Sequence, residues 1–165
     1  MANANKIHAV ADRIAATIAR GDFVVAVVSA MGSTTDDLIA LARRVTDRPD
    51  ARELDLLLST GELVSSTLLA MALRSKGLAA ISLSGAQAGI RTTASHGQAK
   101  IAGVEPRRIQ DELDRGRVVV VAGFQGITDD MDVTTLGRGA SDITAVAVAA
   151  SLEADRCEVY TNVDG

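Results

Sequence analysis

The run Thr134-Thr-Leu-Gly-Arg-Gly-Ala-Ser-Asp142 gathers hydroxyls, a glycine-flanked arginine and a carboxylate just ahead of an alanine-rich apolar stretch. A guanidinium in a glycine-rich turn can fork onto a carboxylate, and a helix N-terminus favours an anion. A second small-residue loop, Ser29-Ala-Met-Gly-Ser-Thr-Thr35, also precedes a helical pattern and offers hydroxyls and backbone N–H groups. Glu62 places one carboxylate inside an otherwise apolar helical stretch, where it can hold an ammonium. Together these features suit an amino acid zwitterion that carries an extra acid group. Each alone has a plainer reading. Gly-rich turns join strands to helices in any α/β fold, Glu62 fits a solvated or capping residue, and Arg138 fits a surface one. Arg138 can also pair with Asp142 or Glu62 as a relic of a lost site. The run from Thr134 to Asp142 is the part that a plain loop explains least well.

Alternating strands and helices must hold these loops. Ile7, Val10, Ala11, Ile14 and Ile18 recur at helical spacing before Gly21. Phe23 to Val28 is a continuous, β-branched apolar run, which predicts a strand buried on both faces of a parallel sheet. Asp36 to Val45 resumes helical spacing, and Arg52 to Lys76 predicts a long helix broken near Thr60-Gly61. Ala79 to Leu83 reads as a weaker strand, and Gly85 to His96 as an irregular or edge segment. Pro106 opens a helix that Gly116 ends, and Val118 to Ala122 is the clearest buried strand. Gly123 to Gly139 reads as a long polar loop. Ser141 to Leu152 is a helix with Ser141 or Asp142 near its N-cap, and Arg156 to Thr161 is a last strand. There is no internal repeat and no linker. The expectation is one α/β domain over residues 1–165, a three-layer αβα sandwich with a mostly parallel sheet. Ligands of such sheets sit beyond the carboxyl ends of the strands, which directs attention to the loops after Val28, Val121 and Tyr160.

Composition narrows the partners. Hydrophobic residues make up 47% of the 165, enough for a real core, and aromatic residues only 2%. The net charge is −4 with no basic stripe, which argues against nucleic acid. No run reaches about 18 consecutive apolar residues, so no membrane span is expected. Met1 to His8 is too polar and short for a secretory signal. His8 and His96 stand apart, so no metal site is expected. The single cysteine, Cys157, suits a reducing cytoplasm and reads as a small buried thiol in the last strand.

The stretches VVSAMGSTTDDL, LLLSTGELVSS, SLSGAQAGIRTT, VVVVAGFQG, TTLGRGASDITAVAVAASL and YTNVDG resemble the aspartate kinases in order and spacing, across essentially the whole chain. The resemblance implies the amino acid kinase fold. It also implies transfer of the γ-phosphoryl group of MgATP to the β-carboxylate of L-aspartate. Thr35 and Glu62, with Ser29 in the same loop, resemble the substrate-binding residues of that family. Arg138 is similar to the arginine that grips substrate carboxylate, with Ser141 beside it, and Asp142 to the aspartate that organises the transfer centre. Thr161 and Asp164 fall in the motif that begins the nucleotide site.

The sequence also departs from that pattern. The family's opening strand with its Lys-Phe-Gly-Gly-type loop has no counterpart, and the chain opens on Met1-Ala-Asn-Ala-Asn5. The resemblance implies an adenine and ribose region beyond Gly165, which these 165 residues do not include. Asn162 stands where members of that family usually have Asp, Leu63 where they usually have Arg, and Ala140 at the second glycine of the usual GRGGSD. Phosphoryl transfer depends on positioning and charge neutralisation, so the isolated chain is expected to transfer slowly or not at all. The alternatives are a degenerate member that binds a small amino or dicarboxylic acid as a regulatory or partner subunit, and one repurposed for another reaction. Either needs no MgATP. An incomplete sheet predicts a second copy or a partner chain over its open edge.

Overall fold

The computed structural model describes residues 4–137 and 139–160. Along it run α1 (Ala4–Ile18), β1 (Val25–Val28), α2 (Thr34–Val45), α3 (Ala51–Ser75), β2 (Ala80–Leu83), β3 (Ile90–Thr92), β4 (Ile101–Val104), α4 (Arg107–Asp114), β5 (Val118–Ala122), β6 (Gln125–Ile127), β7 (Val133–Thr135) and α5 (Ala140–Ser151). β5 is buried at every residue because it lies between β1 and β2, parallel to both, with Val119 opposite Val25 and Ile81. Its valines alternate between two cores, as strand geometry requires. Val118 and Val120 join Ile7, Ala11, Leu69 and Leu73 of α1 and α3. Val119 and Val121 join Ile109 of α4 and Val148 of α5 on the other face. This is the helix–sheet–helix layering of an α/β fold. A second sheet, ordered β4-β3-β6-β7, is mixed: β3 and β6 are parallel, while β3–β4 and β6–β7 are antiparallel.

Several elements differ from the sequence reading. α3 runs unbroken through Thr60-Gly61. Gly61 serves close approach: a Cβ there would stand 3.0 Å from Ala30 Cβ and 3.4 Å from Thr34 Cγ2. Its propensity cost of about 1 kcal/mol is small against the packing of a 25-residue helix. Residues 123–139 are not a polar loop but carry β6 and β7, and Gly123 to Thr128 are buried. The threonines mislead because their hydroxyls are satisfied internally, Thr134 by Thr92 and Thr135 by Asp55. β3 lies inside its sheet rather than at an edge, and β4 was not anticipated. β1 is an edge strand among the described residues, with only Val28 buried, and Phe23 is 74% exposed.

α5 begins at Ala140 with Gly139 as its N-cap at φ 78°, which places Ser141 and Asp142 in the first turn rather than at the cap. Arg156 to Tyr160 are exposed and form no strand, so Cys157 is an exposed thiol, not a core one. Thr161, the end of that expected strand, lies outside the described residues. α3 is long and apolar enough by composition to cross a membrane. Here Leu69 and Leu73 enter the core, and the helix buries Asp55 and Glu62.

Candidate functional site

β1 and β5 end side by side, so the loops that leave them share one edge of the sheet. The Gly123 N–H donates to the Val28 carbonyl at 3.0 Å and joins the two strand ends. Only glycine fits there comfortably, since a Cβ would lie 3.0 Å from the Cβ and Oγ of Ser141 and from Val28 O. That close approach seats the first turn of α5 against the strand ends. The next residue, Phe124, turns the chain with φ 66°, a region that non-glycine residues seldom adopt and that recurs near functional sites. Its N–H donates to Thr144 Oγ1 at 3.2 Å, and that hydroxyl donates to Ala140 O at 3.0 Å.

A cavity of about 390 Å³ opens between these parts, lined by Ser29, Thr35, Asp36, Glu62, Ser141 and Asp142, with Phe124 against it. The starts of α2 and α5 both border it. Neither helix has a side-chain cap, whereas Asp50 caps α3 by accepting from the N–H groups of Arg52 (3.0 Å) and Glu53 (3.1 Å). Without a side-chain cap an N-terminus leaves backbone donors for an anion, and here Asp36 and Asp142 of the same first turns offset part of the helix charge.

Between the two helix ends lies Glu62, only 3% exposed. Its Oε1 accepts the Ala30 N–H at 3.0 Å, while Oε2 has no hydrogen-bond partner among the described residues. Burial pushes the carboxyl up from 4.5 to about 6, and the Ala30 N–H offsets part of that rise. A buried, unpartnered carboxylate oxygen is costly and calls for a cation or a strong donor.

The amino acid kinase model matches residues 1–165. The chain belongs to the amino acid kinase family. Within the family it is similar to aspartokinases: that of Mycolicibacterium smegmatis is 58% identical over 166 residues, and aspartokinase 2 of Bacillus subtilis 53% over 160. The chain spans 39% of the length of each of these relatives. Among solved structures, aspartate kinase from Synechocystis superposes with a TM-score of 0.82 at 48% identity, over 98% of this chain and 26% of that one. E. coli aspartokinase III in complex with aspartate and ADP superposes at 0.68 and 30% identity, over 79% of this chain and 30% of that one.

Of the residues singled out from sequence, this amino acid kinase fold brings Ser29, Thr35, Glu62, Ser141 and Asp142 to one cavity. Arg138, Thr161 and Asp164 lie outside the described residues. Asp36 and Phe124 also line the cavity and were not anticipated. Asp36 follows Thr35 in the first turn of α2, so its place next to a candidate residue was the available signal. Phe124 carried none, because its role comes from backbone conformation. Among the described residues no group of three or more His, Cys, Asp or Glu is placed to hold a metal ion.

Proposed function

We propose that residues 1–165 carry the acceptor-acid side of an aspartokinase and bind L-aspartate or a close amino diacid in the Glu62 cavity. The observation that carries this reading is Glu62 Oε2, without a hydrogen-bond partner among the described residues and buried between two helix N-termini that lack side-chain caps. An amino diacid has the complementary order of charges. Its ammonium meets Glu62. One carboxylate takes the start of α5, with Ser141 and the neighbouring Arg138 as donors. The other takes the α2 end, with Ser29 and Thr35. The E. coli relative complexed with aspartate and ADP supports the ligand class. In the full reaction an acceptor carboxylate oxygen attacks the γ-phosphorus, and ADP leaves with the bridging oxygen. Asp142, beside the acceptor end, orders that centre, and Thr161 and Asp164 begin the nucleotide side. MgATP supplies the phosphoryl group when bound; what this chain's described residues contribute is the orientation and charge matching of the acid.

The 165-residue chain alone is expected to bind the acid and transfer phosphoryl slowly, because it contains no Lys-Phe-Gly-Gly-type segment to neutralise phosphate charge. Leu63, Ala140 and Asn162 favour a second reading, a member that keeps the pocket as a regulatory or partner subunit. We assign the protein to the cytoplasm. The open β1 edge and exposed Ile143 and Val146 of α5 favour cover by a second copy or another chain. Calorimetry with L-aspartate and related dicarboxylates, on the native chain and on Arg138→Ala, tests the pocket. Micromolar to millimolar binding that Arg138→Ala weakens is the expected result. Binding unchanged by that substitution rules out the pocket as described.

A further inference from the structure

A second buried carboxylate on α3 belongs to no part of the site described so far. Asp55 is 1% exposed, and all its partners are remote in sequence. His96 Nδ1 lies 2.9 Å from Oδ2. The Gly97 N–H donates to both oxygens, at 3.1 and 3.0 Å, and the Thr135 hydroxyl donates to Oδ1. Thr135 is the last residue of β7, and from there the chain enters the turn that leads to α5. The carbonyl of Thr135 accepts the Ala99 N–H at 3.0 Å, and the Leu136 N–H donates to Phe124 O at 2.9 Å. On the far side, a Cβ on Gly137 would meet Gly97 O at 3.9 Å. The Asp55 carboxylate therefore clamps the 96–97 turn and the end of β7 together, against α3.

Asp55 and Glu62 share that helix and stand seven positions apart, about two turns and roughly 10 Å on nearly the same face. One rigid element thus holds both the carboxylate that faces the cavity and the clamp on the chain that enters α5. We propose that Asp55 is a positioning residue. By anchoring Thr135 and Gly97 it fixes the distance between Glu62 and the N-terminal turn of α5, and so the length of the diacid the cavity accepts. The second half of this statement rests on the reading of the Glu62 cavity as an amino-diacid site; the first does not.

The test uses the 165-residue chain with Asp55→Asn, which turns an amide NH2 toward the donors, and the milder Thr135→Val. Thr135→Ser, which keeps the hydroxyl, serves as rescue. The first readout is amide hydrogen exchange. Peptides spanning 134–142 should lose about tenfold of their protection in Thr135→Val, the loss expected for one charge-assisted bond. Protection should return in Thr135→Ser, with α4 unaffected in both. The second is calorimetry with L-aspartate and L-glutamate, which differ by one methylene. Thr135→Val should lose about tenfold of the preference between them, and Thr135→Ser should keep it. Unchanged exchange in 134–142 overturns the anchor, and so does loss spread evenly over the chain, the mark of a merely structural residue. Local loss with an unchanged aspartate-to-glutamate ratio overturns the length-setting role. Local loss in a chain whose unsubstituted form binds neither acid supports the anchor and brings down the pocket reading, with the length-setting role that rests on it.

Discussion

Replacing Glu62 with Gln should make the empty chain more stable at neutral pH and the liganded chain less so. The carboxyl is raised from 4.5 to about 6 by burial. A folded-state value above the unfolded one means that the folded chain holds its proton more tightly, so stability falls as pH rises from about 4.5 through about 6. The whole step is worth about 2 kcal/mol, of which about 1 kcal/mol is lost between pH 5 and pH 7.5. Glu62→Gln removes that dependence. Its amide oxygen can still accept the Ala30 N–H, while its NH2 replaces the unpartnered oxygen at a cost of about 1 kcal/mol. Scanning fluorimetry at both pH values isolates the charge. The melting temperature of Glu62→Gln relative to the native chain should be about 2–4 °C more favourable at pH 7.5 than at pH 5. Binding should move the other way. Loss of the ion pair with the ligand ammonium should weaken L-aspartate by roughly 2–3 kcal/mol, on the order of a hundredfold. In the native chain the ammonium must displace a proton below pH 6, so affinity should fall there toward about tenfold per pH unit. A Glu62→Gln melting shift that is the same at both pH values would refute the buried-charge argument, and affinity kept within about twofold would refute the ammonium contact.

Gly123→Ala should cost about 1–3 kcal/mol by forcing Ser141 and the Val28 carbonyl away from a new Cβ, and acid affinity should drop with it; denaturant melts and calorimetry check both. Glu112 is held below the usual carboxylate range: its burial would raise it, but the Arg117 hydrogen bond and the charges of Arg117, Arg108 and Arg115 prevail. Its stabilising effect should therefore be present above pH 4.5 and fade as pH falls below that, so Glu112→Gln should lower the melting temperature at pH 7 and converge with the native chain in acid. The 165-residue chain should release ADP from ATP and L-aspartate more slowly than about 1 s⁻¹, the low end for kinases, in a coupled assay. Light scattering at micromolar concentration should show self-association, and a monodisperse monomer would contradict the expectation drawn from the open β1 edge.

What could be read from sequence followed how local each signal is. β5 announced itself because four consecutive valines have no amphipathic alternative, and α1 because its apolar positions keep a helical period. β6 and β7 were hidden by composition. Thr134 and Thr135 look polar until Thr92 and Asp55, 42 and 80 positions away, are brought beside them. Gly61 looked like a helix break because propensity is a local quantity and the close approach of Ala30 is not. The last strand failed for a related reason: Arg156 to Tyr160 have β-forming residues, but a strand needs a neighbour to bond with. In the site, residue type and spacing led to the loops Ser29 to Thr35 and Thr134 to Asp142 and to Glu62, since charged and hydroxyl groups beside glycines are unusual enough to notice, while the resemblance to aspartate kinases singled out Thr35, Ser141 and Asp142. The Asp55 clamp has no such signature, because its partners come from 41 and 80 positions away.

Several features that cost the empty chain stability meet at the cavity. A carboxylate buried with one oxygen unpartnered among the described residues and a phenylalanine at positive φ each carry a penalty of about 1 kcal/mol or more, and two helix starts without side-chain caps add a few tenths each. Elsewhere the same chain shows that it can avoid such penalties. Asp50 caps α3, Glu112 is surrounded by three arginines, and both oxygens of Asp55 are satisfied. Among the described residues the chain satisfies its polar groups at Asp50, Asp55 and Glu112 but not at Glu62, and that contrast supports the proposal that the cavity binds a ligand. Along that cavity the starts of α2 and α5 offer backbone donors to an anion, beside the carboxylates of Asp36 and Asp142, and Glu62 between them calls for a cation. A simple dicarboxylate would leave Glu62 unsatisfied, and a simple amine would leave both helix ends so. A molecule with an ammonium between two carboxylates answers all three.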